Sequence, residues 1–153
     1  HHTTPWLTER HGYDPTYRCG VMDCFCEMVR AGVKSLALSH PVDSRAEWDE
    51  LGPFAGKIAG QYGVKCYPEE APLVTDLFPL SATRGKYLYL FYRADHVLGE
   101  YLRLKERKAS MVAERAYFGG NRTQIAREYG RLLSYGPETV RALLAANQDR
   151  ERV

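Results

Sequence analysis

Three short stretches of this chain set proton-moving side chains close to anion-holding ones: Ser39-His40, Glu69-Glu70 and Arg93-Ala94-Asp95-His96. Histidine titrates near neutral pH, so His40 or His96 beside a carboxylate from Glu69 or Glu70 would make a general acid–base pair. Arg93 offers a planar fork of donors to a carboxylate or phosphate. Ser44 and Asp95 stand where helices should begin, and free backbone N–H groups at a helix start favour an anion. The candidate catalytic residues are therefore His40, Glu69, Glu70 and His96. The candidate ligand-binding residues are Ser39, Ser44, Cys66, Arg93 and Asp95. Ser44 and Asp95 also have an ordinary reading as N-caps. Glu69 and Glu70 are adjacent and point opposite ways in extended chain, so only one of them can face a common site.

These residues meet only if the elements carrying them lead to one edge. Asp14-Pro15 reads as the N-cap and N1 pair of a helix over 15–31, ended by Gly32. Val33–Leu38 is an apolar run expected as a buried strand. Ser44 caps a second helix with Trp48, Leu51, Ile58 and Tyr62 at its apolar positions, and Gly52-Pro53 predicts a break in it. Gly63 ends that helix and Val64–Tyr67 forms a short strand, so 33–67 reads as a βαβ unit with a right-handed crossover. Prolines punctuate 68–85, where Leu73–Phe78 is a candidate strand running back down the sheet. Lys86–Tyr92 is the clearest strand: Tyr87, Tyr89 and Phe91 share one face and Leu88, Leu90 and Tyr92 the other, so both faces are expected to be covered.

The remainder reads as helical. Asp95 should cap a long helix to Phe118, Gly119-Gly120 should break it, and helices over 122–133 and from Gly136-Pro137 should follow, with a fraying tail after Asn147. The expected fold is α/β: a small three- to four-stranded, mainly parallel sheet flanked by helices, with an all-helical C-terminal third. Residues 3–153 read as one domain, 3–93 its α/β portion and 94–153 its helical portion. In a parallel sheet ligands sit outside the carboxyl ends of strands. That would gather Ser39-His40, Glu69-Glu70 and Arg93–His96 on one rim, with Cys66 beneath.

Other motifs carry less. Cys19, Cys24 and Cys26 have C-x4-C-x-C spacing, but residues two apart on a helix project about 200° from each other and cannot share an ion. The four cysteines are read as reduced thiols, and Cys66, beside the expected rim, is the one considered as a nucleophile. A metal held by His40, Glu69 or Glu70, and His96 has no ligand motif behind it, so no metal centre is expected and no cofactor is indicated. Ser81–Lys86 lacks the glycine pattern of a phosphate loop. The last two helices match an αα-hairpin better than a helix-turn-helix, because the connection Arg131–Gly136 is long and the final helix offers few base-contacting side chains.

At 153 residues, 44% hydrophobic and 26% charged, the chain has the composition of a folded globular protein. His1-His2 have the character of an expression-tag remnant and are set aside. No signal-peptide pattern follows and no apolar run can cross a bilayer, so a cytoplasmic location without membrane contact is expected. The net charge of +2 hides an asymmetry: residues 1–92 carry 9 Lys+Arg against 11 Asp+Glu, and residues 93–153 carry 12 against 8. The function expected is binding of a small polar or anionic metabolite at the rim, in an enzyme version with His40 moving the proton and Arg93 clamping the anion. The alternative is a non-catalytic, oligomeric or regulatory module docking protein or nucleic acid on its basic C-terminal helices. A small-molecule partner is favoured, a homo-oligomer is compatible, and nucleic acid is disfavoured because acids interleave with the bases.

Overall fold

The computed structural model describes residues 15–153, so the expected cap Asp14 and the domain's expected start at residue 3 lie outside the described residues. Its elements are α1 (Pro15–Arg30), β1 (Leu36–Leu38), α2 (Arg45–Tyr62), β2 (Lys65–Glu69), a 3-10 turn (Leu80–Ala82), β3 (Leu88–Tyr92), α3 (Asp95–Ala113), α4 (Gly119–Leu132) and α5 (Pro137–Ala146). The strands form one sheet in the order β1-β3-β2. Both pairings are antiparallel: Leu36 and Lys65 lie opposite Tyr92, Leu38 opposite Leu90, and Glu69 opposite Leu88.

The α/β class and the helical C-terminal third agree with the sequence, but the mainly parallel sheet does not. β1 and β2 run the same way and are joined by α2, as in a βαβ unit, yet β3 lies between them and runs opposite to both. The reason lies in the link from β2 to β3. Parallel neighbours need a crossover that carries the chain back to the starting edge. The strand expected over Leu73–Phe78 does not form. The link instead buries Leu73 and Leu77 against the C-terminal helices. The chain therefore enters β3 at the edge where β2 ends.

β3 takes the centre because both of its faces are apolar, and all five of its residues are buried. Tyr89 and Phe91 pack against Met22, Cys26 and Val29 of α1 and Trp48, Leu51 and Ala55 of α2. Leu88, Leu90 and Tyr92 pack against Tyr101 and Leu104 of α3, Ile125 and Tyr129 of α4, and Val140 of α5. Trp48 spans from α2 to the strand, donating from Nε1 to the Leu88 carbonyl at 3.0 Å while its own carbonyl accepts from the Tyr89 hydroxyl.

The helices and the tail differ from expectation at several points. The helix expected to reach Phe118 ends at Ala113, and Gly119-Gly120 open α4 instead of lying before it. The Ser44 hydroxyl caps α2 as expected, accepting from Glu47 N at 3.1 Å, and Gly63 ends it in the left-handed region at φ 66°. Pro53, however, does not break α2. Proline removes the bond to the carbonyl four residues back, and both Asp49 and Pro53 are on the exposed side, where water can replace that bond. Asp95 is the first helical residue of α3 rather than its cap; Ala94 holds the cap position without a side-chain bond, and the Asp95 carboxylate pairs with Lys65. The tail beyond Asn147 does not fray. Asn147 Nδ2 donates to the carbonyls of Asp76 and Phe78, and Asp149 accepts from the backbone N–H groups of Leu80 and Ser81.

Buried Asp76 anchors this clasp, accepting from Arg122 Nε at 2.6 Å and Nη2 at 2.8 Å. Asp76→Ala leaves the half-buried Arg122 guanidinium without its carboxylate and is expected to cost about 3 kcal/mol, read from the urea midpoint. Arg84→Ala, at an exposed residue, should change stability by less than about 0.5 kcal/mol.

Candidate functional site

The antiparallel sheet divides the expected rim. β1 and β2 end at the edge where β3 begins, so Ser39-His40 and Glu69-Glu70 are at one end of the sheet. Arg93, Asp95 and His96 leave β3 at the opposite end, beside Leu36 and Lys65. His40 and His96 therefore do not meet, and neither do His40 and Arg93.

The acids near His40 are already engaged. Glu69 is buried and turned toward α3: Oε2 accepts from the Tyr101 hydroxyl at 2.7 Å and from Lys105 Nζ at 2.8 Å, and Oε1 accepts from Ala71 N at 3.1 Å. Glu70 is exposed and pairs with Arg45 at 2.9 Å. At the other end, Arg93 Nη1 donates to the Arg30 carbonyl at 2.9 Å. Ser39 is buried, and its Oγ accepts from Tyr89 N at 2.8 Å, a bond that holds β1 to β3. Cys66 lies within β2 opposite Phe91. Burial pushes its thiol up to about 11, so it is no thiolate nucleophile at neutral pH. All four cysteines are free. Among the described residues, no group of three or more His, Cys, Asp or Glu is placed to hold a metal ion, and no helix is long and apolar enough to cross a membrane.

What the fold does make is a cleft of about 350 Å³ at the outer edge of β1. One side comes from α1, through Tyr17, Val21 and Phe25. The other comes from the β2–β3 link and the C-terminal layer, through Phe78, Tyr129 and Tyr135, and Leu38-Ser39-His40 lies between them. A concave, mainly apolar space with a few polar groups is the usual form of a small-molecule site. Behind His40, a hollow of about 10 Å³ walled by Arg18 and Trp48 has room for about one water. The ligand-sized volume is thus on the β1 side of His40.

Two polar groups define the cleft. Lys34 donates from Nζ to the Leu133 carbonyl at 2.7 Å and lies 4.6 Å from the centre of the Tyr135 ring. It is half-buried, burial lowers its pKa, and among the described residues it has no carboxylate partner. His40 also has a lowered pKa, first from burial and then from the charges of Arg18 and Lys86, partly opposed by Asp43. Arg18 is itself buried, with Nε 3.4 Å from Glu47 Oε2. Lys34 escaped the sequence reading because it counted as part of an apolar strand. The available signal was a lone cation at the start of that run.

No family model matches the chain, and neither a curated protein nor a solved structure matches it.

Two predictions follow from the environments of these side chains. Folding holds His40 neutral at pH values where a free histidine takes up a proton, so the unfolded chain protonates first. Its contribution to stability is complete above about pH 6.5 and declines as the pH falls below that. His40→Gln should therefore lose less stability than the parent between about pH 7.5 and 5.5; an NMR titration midpoint for His40 above 6.5 would contradict this. For the cysteines, burial pushes Cys26 up to about 12 and Cys66 up to about 11, whereas Cys24 is exposed. Timed alkylation at neutral pH followed by peptide mass spectrometry should label Cys24 first and Cys26 and Cys66 last.

Proposed function

We propose that this protein binds a small organic anion with an apolar or aromatic body in the cleft beside β1, with Lys34 as its counter-ion. The observation that carries this reading is the Lys34 ammonium, half-buried against the Tyr135 ring without an acidic partner among the described residues. A cation removed from water costs free energy until it is paired. A ligand carboxylate would pair it while the aromatic walls cover the rest of the ligand. His40, at the other end of β1, adds a neutral ring that can donate or accept one hydrogen bond.

The reading is of binding rather than acid–base turnover. Among the described residues no carboxylate is hydrogen-bonded to His40, and Glu69 and Glu70 are held by other partners. The C-terminal helices as a docking module have weaker support. Phe118 and Val153 are the large apolar side chains exposed there, and single exposed apolar residues are ordinary on a protein surface.

Calorimetric titration with 2-naphthoate and with its neutral analogue 2-naphthalenemethanol tests the proposal. Lys34→Met keeps the apolar stem and removes the charge. It should weaken naphthoate binding about tenfold, or about 1.4 kcal/mol, and leave the alcohol unchanged. An equal loss for both ligands, or no binding of either by the parent protein, overturns the reading.

A further inference from the structure

We infer a second binding site, for the phosphoryl group of a small molecule, in the groove between α3 and α4. This hollow of about 440 Å³ is lined by His96, Arg103 and Arg107 from α3 and by Glu128 and Arg131 from α4, with Ser35 at one end. It is separate from the β1 cleft and shares no residue with its lining.

The charges of the groove fall into two groups. Arg107 and Glu128 neutralise each other through two parallel bonds, Nη1 to Oε1 at 2.8 Å and Nη2 to Oε2 at 2.6 Å. Gln124 adds a bond to Glu128 at 3.2 Å, and the pair fixes α3 to α4. Arg103 and Arg131 have no carboxylate within ion-pair distance among the described residues, although Glu128, held by Arg107, also feels the charge of Arg131. Three guanidinium groups thus line the hollow with two acids, Glu128 and Glu100. Arg103 is also seated. It lies back along its own helix over Gly99, where a Cβ would come 3.2 Å from its Nη1. Without a side chain, Gly99 leaves room for the guanidinium beside the helix.

Planar forks approaching from two helices suit an anion with oxygens pointing in several directions. A phosphoryl group offers three such oxygens and close to two negative charges, matching the two unpaired arginines better than a flat, singly charged carboxylate does. Val97 and Leu104, both buried, also line the hollow and offer no competing charge.

The test is a titration of the full chain with pyrophosphate at low salt, followed by ¹H–¹⁵N NMR of the arginine Nε groups and of the Ser35 and His96 amides. Saturable shifts at those positions are expected, and R103Q/R131Q should weaken binding at least about tenfold. The charge-matched control R84Q/R115Q, at exposed residues outside the groove, should change it by less than about twofold. All four side chains are exposed, so unchanged thermal midpoints should confirm that the variants fold. Absence of saturation below about 10 mM, or an equal loss in the control, overturns the site. A single-stranded oligonucleotide that binds far more tightly than pyrophosphate, and is weakened equally by both double variants, overturns it in favour of a diffuse polyanion surface.

Discussion

Everything in this fold depends on β3 having no face to give to water. A strand apolar on both sides must be covered on both, and the two covering layers come from opposite parts of the chain: α1 and α2 precede the strand, and α3, α4 and α5 follow it. Its edges are used as fully as its faces, with β1 on one and β2 on the other. Because the layers are separate in sequence, they approach each other only around the rim of the sheet. The β1 cleft is one such meeting place: one wall belongs to α1, the other to the β2–β3 link and the C-terminal layer, and β1, the outermost strand there, lies between them.

The two-sided burial of β3 was written in its alternation of Tyr89 and Phe91 with Leu88 and Leu90. The Ser44 cap, the Gly63 stop and the helical C-terminal third were also legible, because each is decided by a few neighbouring residues. Strand direction was not. It depends on whether residues 70–87 cross the sheet or stay at one end, and an irregular segment holding Leu73 and Leu77 in a distant core has no periodicity to announce its path. That one choice separated His40 from His96 and dissolved the expected rim. Lys34 was hidden for a related reason. A cation at the start of an apolar run gives no sign that the ring beside it will be Tyr135, about a hundred residues away.

The arrangement of charge is unusual in where partners are absent rather than where they are present. Asp76 and Glu69 are buried and fully served by donors from several elements. Arg107 and Glu128 satisfy each other. Lys34 in the β1 cleft and Arg103 with Arg131 in the α3–α4 groove are among the cations without a carboxylate in reach, and each of them lines a hollow. Lys34 lies where the two layers meet, and Arg103 and Arg131 lie between two helices of the same layer.

The clasp made by residues 147–151 bears on how the molecule comes to be assembled. One wall of the cleft includes Phe78, whose segment is held by Asn147 and Asp149 from a stretch synthesised about seventy residues later. Until that stretch has been made, the bonds that hold this wall cannot form. The cleft is thus completed only once residues 147–149 have docked on the 78–81 segment, whatever the order in which the sheet and helices form.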